Sequence, residues 1–236
     1  MTGSRRLALT VAGLLAVSGA MTLQVGAAAS LSVGSQQITP YRSCTITATP
    51  SSTTAVADVG VREASAGTNF GTATTNAVSS AAAANQRMYI RFDLTQCSPT
   101  IPSSSTIRLA TLRIYVSALP AACRTIDIFR STATWTESGI TWTNQPFGTT
   151  LNNPASGSRT GSFNVGTPAG CQNLAAGYVV GATVTTDVAA FVGGTSNFGW
   201  MLRDDVEASA TTRTTTFSAK NLGTLAQAPQ LVITYT

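Results

Sequence analysis

The sequence predicts an all-β protein in which two antiparallel sheets pack as a β-sandwich, with about ten short strands and one short helix. Apolar and polar side chains alternate strictly in RMYIRFDL (87–94), which is typical of a strand with one buried face. Clusters of Gly, Pro, Asn and Ser bound this segment and others like it, as turns require. Charged residues make up only 10% of the chain, so a surface of hydroxyl groups is expected.

The strands are predicted wherever a short alternating segment lies between turn residues. Outside the segment 134–146, the predicted strands are 45–48, 55–62, 74–80, 87–94, 111–116, 125–130, 160–165, 198–204, 213–220 and 230–235. In 87–94 the inward residues are Met88, Ile90, Phe92 and Leu94, and the outward residues are Arg87, Tyr89, Arg91 and Asp93. In 111–116 the inward residues are Leu112, Ile114 and Val116, and the outward ones are Arg113 and Tyr115.

One segment, VTTDVAAFVGG (184–194), is predicted to be helical. Thr185 or Thr186 would cap its N-terminus, and Asp187 lies in its first turn. Gly193 and Gly194 would end it after about two turns.

The first 29 residues have the pattern of an export signal, with SRR at the start, an apolar middle and VGAAAS as a small-residue cleavage site. The alternative is an uncleaved anchor, since residues 7–29 are long enough to span a bilayer. We therefore expect an extracellular location, with membrane contact only during export. Residues 30–54 would form an N-terminal extension and 55–236 one β-sandwich domain.

Four cysteines follow the export signal, and an even number in an exported chain predicts two disulfides. Three pairings are possible. We favour Cys44–Cys97 and Cys123–Cys171, because each joins two loop-like stretches and leaves the predicted strands free. Free buried thiols are the alternative, whereas metal ligation is disfavoured by the absence of C-x-x-C spacing and of histidine.

The charge and the residue types exclude several functions. A net charge of +5, of which Arg5 and Arg6 belong to the export signal, is too weak and dispersed for nucleic-acid binding. A chain with no histidine cannot carry a Ser-His-Asp triad. No pair of carboxylates is placed across a cleft by the pattern, so the sequence predicts no enzymatic activity.

The segment TWTESGITWTNQP (134–146) contains two of the three tryptophans. Thr134 and Glu137 have capping-box spacing, which predicts one helical turn ending near Gly139, then a strand from 140 to 142. Trp135 and Trp142 would then pack as a structural corner. The alternative is a platform on which their exposed rings stack against sugars.

Four outward residues are the main candidates for ligand binding: Tyr89, Arg91, Arg113 and Tyr115. They would share one face if segments 87–94 and 111–116 were neighbours in a sheet. Arginine pairs with carboxylates, and tyrosine stacks on sugar rings. The alternative is a solvated sheet face or one covered by a loop.

A cluster of carboxylates is the candidate for a structural calcium ion, although no cofactor is required. It consists of Asp204, Asp205 and Glu207, with Asp58 as a possible fourth ligand. The alternative is that Arg203 and Arg213 neutralise these charges.

An ordered set of fragments resembles the DNRLRE domain, a secreted β-sandwich module of bacteria and archaea. The fragments are AxADVGVR, GTNFGTAT, RMYIRFDL, ATLRIYV, WTESGITWTNQP, FGWMLRDD, TTFSAKN and APQLVITY, and together they cover 55–236. The DNRLRE domain is related to an alginate-binding carbohydrate-binding module family and to modules found on disaggregatases. The resemblance implies a jelly-roll-like fold and polysaccharide binding. The chain departs from the family at Gly60, where relatives usually carry an aromatic residue.

Two functions follow as expectations. The first is a secreted, non-catalytic protein that binds a polysaccharide of the cell envelope or matrix. The second is a structural or adhesive surface protein that assembles with itself or packs on the envelope. Retention on a glycan panel would favour the first, and large assemblies in light scattering would favour the second.

Overall fold

The computed structural model describes residues 40–49, 54–168, 171, 177–178 and 182–236. Within these residues, twelve strands form two antiparallel sheets and one α-helix is present. No helix in this part of the chain is long and apolar enough to cross a bilayer. The predicted export signal and most of the predicted extension, 30–39 and 50–53, lie outside the described residues.

The elements follow the predicted segments closely. The strands are β1 (Arg42–Thr47), β2 (Val56–Arg62), β3 (Thr75–Ser80), β4 (Gln86–Phe92), β5 (Ile107–Arg113), β6 (Tyr115–Ala118), β7 (Arg124–Arg130), β8 (Gly161–Val165), β9 (Gly177–Tyr178), β10 (Trp200–Asp204), β11 (Arg213–Ser218) and β12 (Gln230–Tyr235). Helix α1 spans Thr185–Val192 and lies between β9 and β10 in the chain. The all-β sandwich and the single helix are confirmed.

The two sheets differ in size. The small sheet has the order β1-β12-β5. The large sheet has the order β8-β7-β10-β4-β3-β11-β6-β9, and β2 pairs with β4 from Val56↔Phe92 to Arg62↔Gln86. The ten strands predicted outside 134–146 correspond to twelve in the structure, because the segment 111–116 falls on both β5 and β6 and because β9 was not predicted.

The chain passes from the small sheet to the large sheet at Ile114. This residue lies between β5 and β6, and its side chain is fully buried. Leu112 and Val116 on either side are also buried, so every second side chain still faces the core where the chain bends from one sheet to the other. Segments 87–94 and 111–116 are therefore not sheet neighbours, because β5 pairs with β12 and β4 pairs with β2 and β10.

The main hydrophobic core lies between the two sheets, as the alternation predicts. It includes Ile90 and Phe92 of β4, Ile114, and Leu231 and Ile233 of β12. Helix α1 adds Val188 and Phe191, and the Phe191 ring lies 5.6 Å from the ring of Trp200. Burying such side chains stabilises the fold by about 1.5–3 kcal/mol each.

A second hydrophobic cluster covers the opposite, outer face of the large sheet. Residues 131–160, here called the corner loop, cross this face. The cluster consists of Ala57, Val59, Val61, Tyr89, Phe129, Met201 and, from the corner loop, Trp135, Ile140 and Trp142. Of the alternatives for the outer face of 87–94, the one in which a loop covers it is found, since Arg87 and Tyr89 are both 0% exposed.

The guanidinium of Arg87 connects the outer face of the sheet to the corner loop. Its Nε and Nη2 donate to the carboxylate of Glu207 at 2.7 and 2.9 Å. The remaining N–H groups donate to the side chain of Gln145 and to the carbonyls of Gly148 and Thr150. All five donors of this buried cation thus have partners, as burial requires.

The two disulfides are those favoured from the sequence. Cys44–Cys97 joins β1 to the segment after β4, and Cys123–Cys171 joins the start of β7 to the residues before β9. Each bond restricts the unfolded chain and contributes roughly 2–4 kcal/mol.

Removing the buried partner of Arg87 should be costly. We expect Glu207→Ala to lower the free energy of unfolding by about 3–5 kcal/mol, because an unpaired charge would be left inside the protein. Urea unfolding followed by tryptophan fluorescence measures this loss. Asp205→Ala is the control, since that carboxylate is also paired with an arginine but is 34% exposed, and it should cost about 1 kcal/mol or less. Equal losses for both variants would contradict the assignment.

Candidate functional site

The two tryptophans of the corner loop are structural. Trp135 is buried, donates from Nε1 to the carbonyl of Phe198 at 2.7 Å, and packs edge-on against Tyr89 with ring centroids 5.6 Å apart. Trp142 is buried beneath the guanidinium of Arg87, 4.7 Å from its ring centroid. Both rings are buried, as the structural-corner interpretation predicts, and neither forms an exposed platform.

The local structure of the corner differs from the predicted capping box. The turn is held by backbone hydrogen bonds from Gly139 and Ile140 to the carbonyl of Thr136. The Glu137 carboxylate does not cap this turn, because it accepts from Lys220, a residue 83 positions away. No strand forms at 140–142 within the described corner loop.

Of the four predicted ligand residues, the two on β4 have different environments. Tyr89 is fully buried, its hydroxyl donates to Gln145 at 3.0 Å, and burial raises its pKa. A ligand at the surface cannot stack on this ring. Arg91 is half-buried and reaches the surface, where its guanidinium lies 5.4 Å from the centroid of the Trp135 ring.

Arg113 and Tyr115 lie away from Arg91, next to β9. The guanidinium of Arg113 stacks on the ring of Tyr178 at 4.4 Å, and Tyr115 packs edge-on against the same ring at 5.6 Å. Tyr178 was missed by sequence reasoning because β9 is only two residues long. The single aromatic and cationic face that the sequence predicted is thus divided into two separate places.

The four carboxylates predicted to bind calcium are paired with other groups. Asp204 and Asp205 both accept from Arg124, and Glu207 accepts from Arg87. Asp58 lies apart from them and accepts from Asn76 and from the backbone of Lys220. The described residues contain no group of three side chains able to hold a metal ion. Calcium binding therefore stays a prediction from the sequence alone.

A cleft of about 410 Å³ opens beside Arg91 on the outer face, and we call it the Arg91 cleft. Residues from five separate parts of the chain line it: Ala57, Asn69, Gly71, Thr72, Arg91, Thr136, Glu137, Ser138, Lys220 and Asn221. Eight of these ten residues have polar side chains, which carry hydroxyl, amide, guanidinium, carboxylate and ammonium groups. Such groups form directional hydrogen bonds with the hydroxyls of a polar ligand.

The walls of the Arg91 cleft are held in place by side-chain amides. Asn69 donates to the carbonyls of Glu137 and Ile140 at 2.8 and 2.7 Å and accepts from the amide of Gly71. Asn221 donates to the carbonyl of Gly71 at 2.9 Å. Two segments more than 60 residues apart are thereby fixed against each other.

A buried charge cluster forms the floor behind the Arg91 cleft. The ammonium of Lys220, the only lysine of the chain, donates to Glu137 and to the carbonyl of Val56. Its backbone amide donates to Asp58 at 3.0 Å. Burial raises the pKa of Asp58 to about 7, with a further contribution from Glu137, and the hydrogen bond from Lys220 opposes this shift.

A second cleft, of about 490 Å³, lies on the other side of the corner loop, and we call it the Arg130 cleft. Its lining includes Phe129, Arg130, Phe147, Arg159, Thr160 and Asp187. Arg130 lies 3.7 Å from Asp187, and Arg159 lies 3.6 Å from Asp127. These separations exceed hydrogen-bond length, so both guanidinium groups, 37% and 44% exposed, keep donors available at the surface.

Asp58 should make the stability of the protein depend on pH. Because its folded-state pKa lies above the ordinary 3.8, the folded protein holds this proton more tightly than the unfolded chain does. The contribution of Asp58 to stability is therefore present below about pH 4 and is lost as the pH rises to about 7. We expect Asp58→Asn to reduce the drop in Tm between about pH 5 and about pH 8 by about 5 °C.

Differential scanning calorimetry of both proteins at the two pH values measures this change. Asp93→Asn is the control, because Asp93 is only partly buried and bonds with its own neighbours Thr95 and Gln96. A pH dependence of Tm that Asp58→Asn leaves unchanged would refute the buried-acid interpretation.

Comparison of the chain with known protein families gives a match to a family of carbohydrate-binding modules. No curated protein matches the chain. The family model described as carbohydrate-binding module family 96 matches residues 49–235, which include β2 to β12 and both clefts. The match supports the carbohydrate-binding relationship that the DNRLRE resemblance implies. The chain therefore belongs to carbohydrate-binding module family 96.

Proposed function

We propose that this chain is a secreted, non-catalytic protein that binds a polysaccharide of the cell envelope or matrix, and that the Arg91 cleft is a binding site. Membership of a carbohydrate-binding module family carries the proposal. The position of Arg91, the one predicted ligand residue of β4 that reaches the surface, supports the choice of cleft.

The hydrogen-bonding capacity of the Arg91 cleft supports a sugar ligand. Within the described residues, the guanidinium of Arg91 makes no hydrogen bond to the protein, and its stacking on Trp135 restricts its orientation. The exposed hydroxyls of Thr72, Thr136 and Ser138 are likewise unpaired with described groups. A pre-ordered guanidinium and free hydroxyls lose little side-chain entropy when they bind.

The arrangement of the carboxylates supports a non-catalytic role. Glu137 is paired with Lys220, and Asp58 is buried beneath the cleft with hydrogen bonds from Asn76 and Lys220. Glycoside hydrolysis needs two carboxyl groups that flank the scissile bond. A paired carboxylate and a buried one do not supply this arrangement.

Two features support export. The first 29 residues have the pattern of a cleavable signal, and two disulfides bridge the domain. Disulfides persist mainly in oxidising compartments outside the cytosol.

Replacing Arg91 should weaken glycan binding. We expect the chain 30–236 to be retained on at least one polysaccharide of a panel of neutral and acidic glycans in affinity electrophoresis. Arg91→Ala should lower the affinity for that polysaccharide about tenfold, because a charge-assisted hydrogen bond contributes about 1.5–3 kcal/mol. No reducing ends should be released from the retained polysaccharide.

Arg62→Ala is the matched control. Arg62 also lies over an aromatic ring, that of Phe70 at 3.9 Å, but does not line the Arg91 cleft. Loss of affinity in both variants would point to a general charge effect and not to this cleft. Absence of retention on the whole panel would overturn the proposed function.

A further inference from the structure

Two smaller depressions lie along the corner loop between the Arg91 cleft and the Arg130 cleft. The Trp135 depression, about 270 Å³, is lined by Thr134, Trp135, Thr136, Gly139, Ile140 and Asn144. It shares Thr136 with the Arg91 cleft. The two spaces therefore meet at this residue.

The Ser131 depression, also about 270 Å³, makes the same connection on the other side. It is lined by Arg130, Ser131, Thr132, Thr195, Ser196 and Phe198, and it shares Arg130 and Thr132 with the Arg130 cleft. The carbonyl of Phe198 accepts from Trp135, which links the floors of the two depressions. The four spaces thus follow one another along residues 130–138.

The wall along these residues presents a repeated polar pattern. Thr132, Thr134, Thr136 and Ser138 occupy every second position, and all four are exposed. Within the described part of the chain, none of their hydroxyls bonds to another protein group. A series of free hydroxyls along this wall can bind successive hydroxyl groups of a glycan chain.

Together, the two clefts and the two depressions are longer and contain more charged groups than a single sugar unit needs. Each of the two clefts alone has a volume typical of a site for one small ligand. Arg91 lies at one end of this series of four spaces, and Arg130 and Arg159 lie at the other end. A bound chain could therefore interact with cations at both ends and with hydroxyls between them.

We propose that the two clefts and the two depressions form one continuous groove that binds an internal stretch of an extended glycan chain, several sugar units long. This inference rests on the proposed function and goes beyond it, because it assigns the Arg130 cleft to the same ligand. A chain end or a single sugar would occupy only one of the four spaces.

Affinity as a function of oligosaccharide length tests the groove. The probes are oligosaccharides of mannan and of polygalacturonate, from disaccharide to octasaccharide, measured by isothermal titration calorimetry. Affinity should rise steadily up to at least the hexasaccharide and should be unchanged when the end units are chemically blocked. An affinity that is already maximal for the disaccharide, or that requires a free end, overturns the groove while leaving the proposed function intact.

A bulky side chain where the Ser131 depression meets the Arg130 cleft provides the second test. Thr132 is exposed and makes no side-chain hydrogen bond to the described residues, so Thr132→Trp should fold normally. It should lower the affinity for the octasaccharide on the order of tenfold and leave that for the disaccharide unchanged. Thr224→Trp, an exposed threonine outside the groove, is the control and should change neither.

The remaining outcomes distinguish the two proposals. Undiminished octasaccharide affinity in Thr132→Trp contradicts the groove even if Arg91→Ala still weakens binding. Failure of the unmodified chain to bind any glycan in the panel removes both proposals together. Circular dichroism of each variant shows whether a loss of affinity reflects unfolding.

Discussion

The buried ion pair of Arg87 and Glu207 is the constraint on which the outer face of the protein depends. Arg87 points away from the main core, and the corner loop buries it, so its guanidinium needs hydrogen bonds from the protein in place of those from water. The corner loop supplies these bonds from Gln145, Gly148 and Thr150, and Trp142 covers the guanidinium. Once these contacts hold the corner loop in place, its exposed residues line part of both clefts.

An unusually large share of the charged side chains is buried, namely eight of the 21 in the described residues. Arg87, Asp127, Arg203 and Lys220 are all buried, although lysine, arginine and aspartate are ordinarily exposed. Arg203, for example, lies over the Phe129 ring and donates to the carbonyls of Asp204 and Pro154. Buried charges with hydrogen-bonding partners fix loops at defined positions, and hydroxyl groups supply much of the remaining polar surface.

The alternation of residues in β4 shows how far sequence reasoning reaches. It correctly assigned Ile90 and Phe92 to the core between the sheets, and it correctly placed Arg87 and Tyr89 on the opposite face. It could not reveal that this opposite face is itself covered, because the covering residues lie about 50 positions away in the corner loop. A buried tyrosine and a solvated one give the same period-two pattern.

The sequence by itself determined the strand segments, the short helix, the face on which each strand residue lies and the preferred disulfide pairing, because these follow from local periodicity, turn residues and cysteine position. Only the tertiary structure decided that the chain changes sheets at Ile114, which separates Arg113 from Arg91. It also decided that Asn69, Arg91, Glu137 and Lys220 meet in one cleft. These outcomes depend on which strands become neighbours and which loop covers a face, and both are set by contacts between residues far apart in the chain.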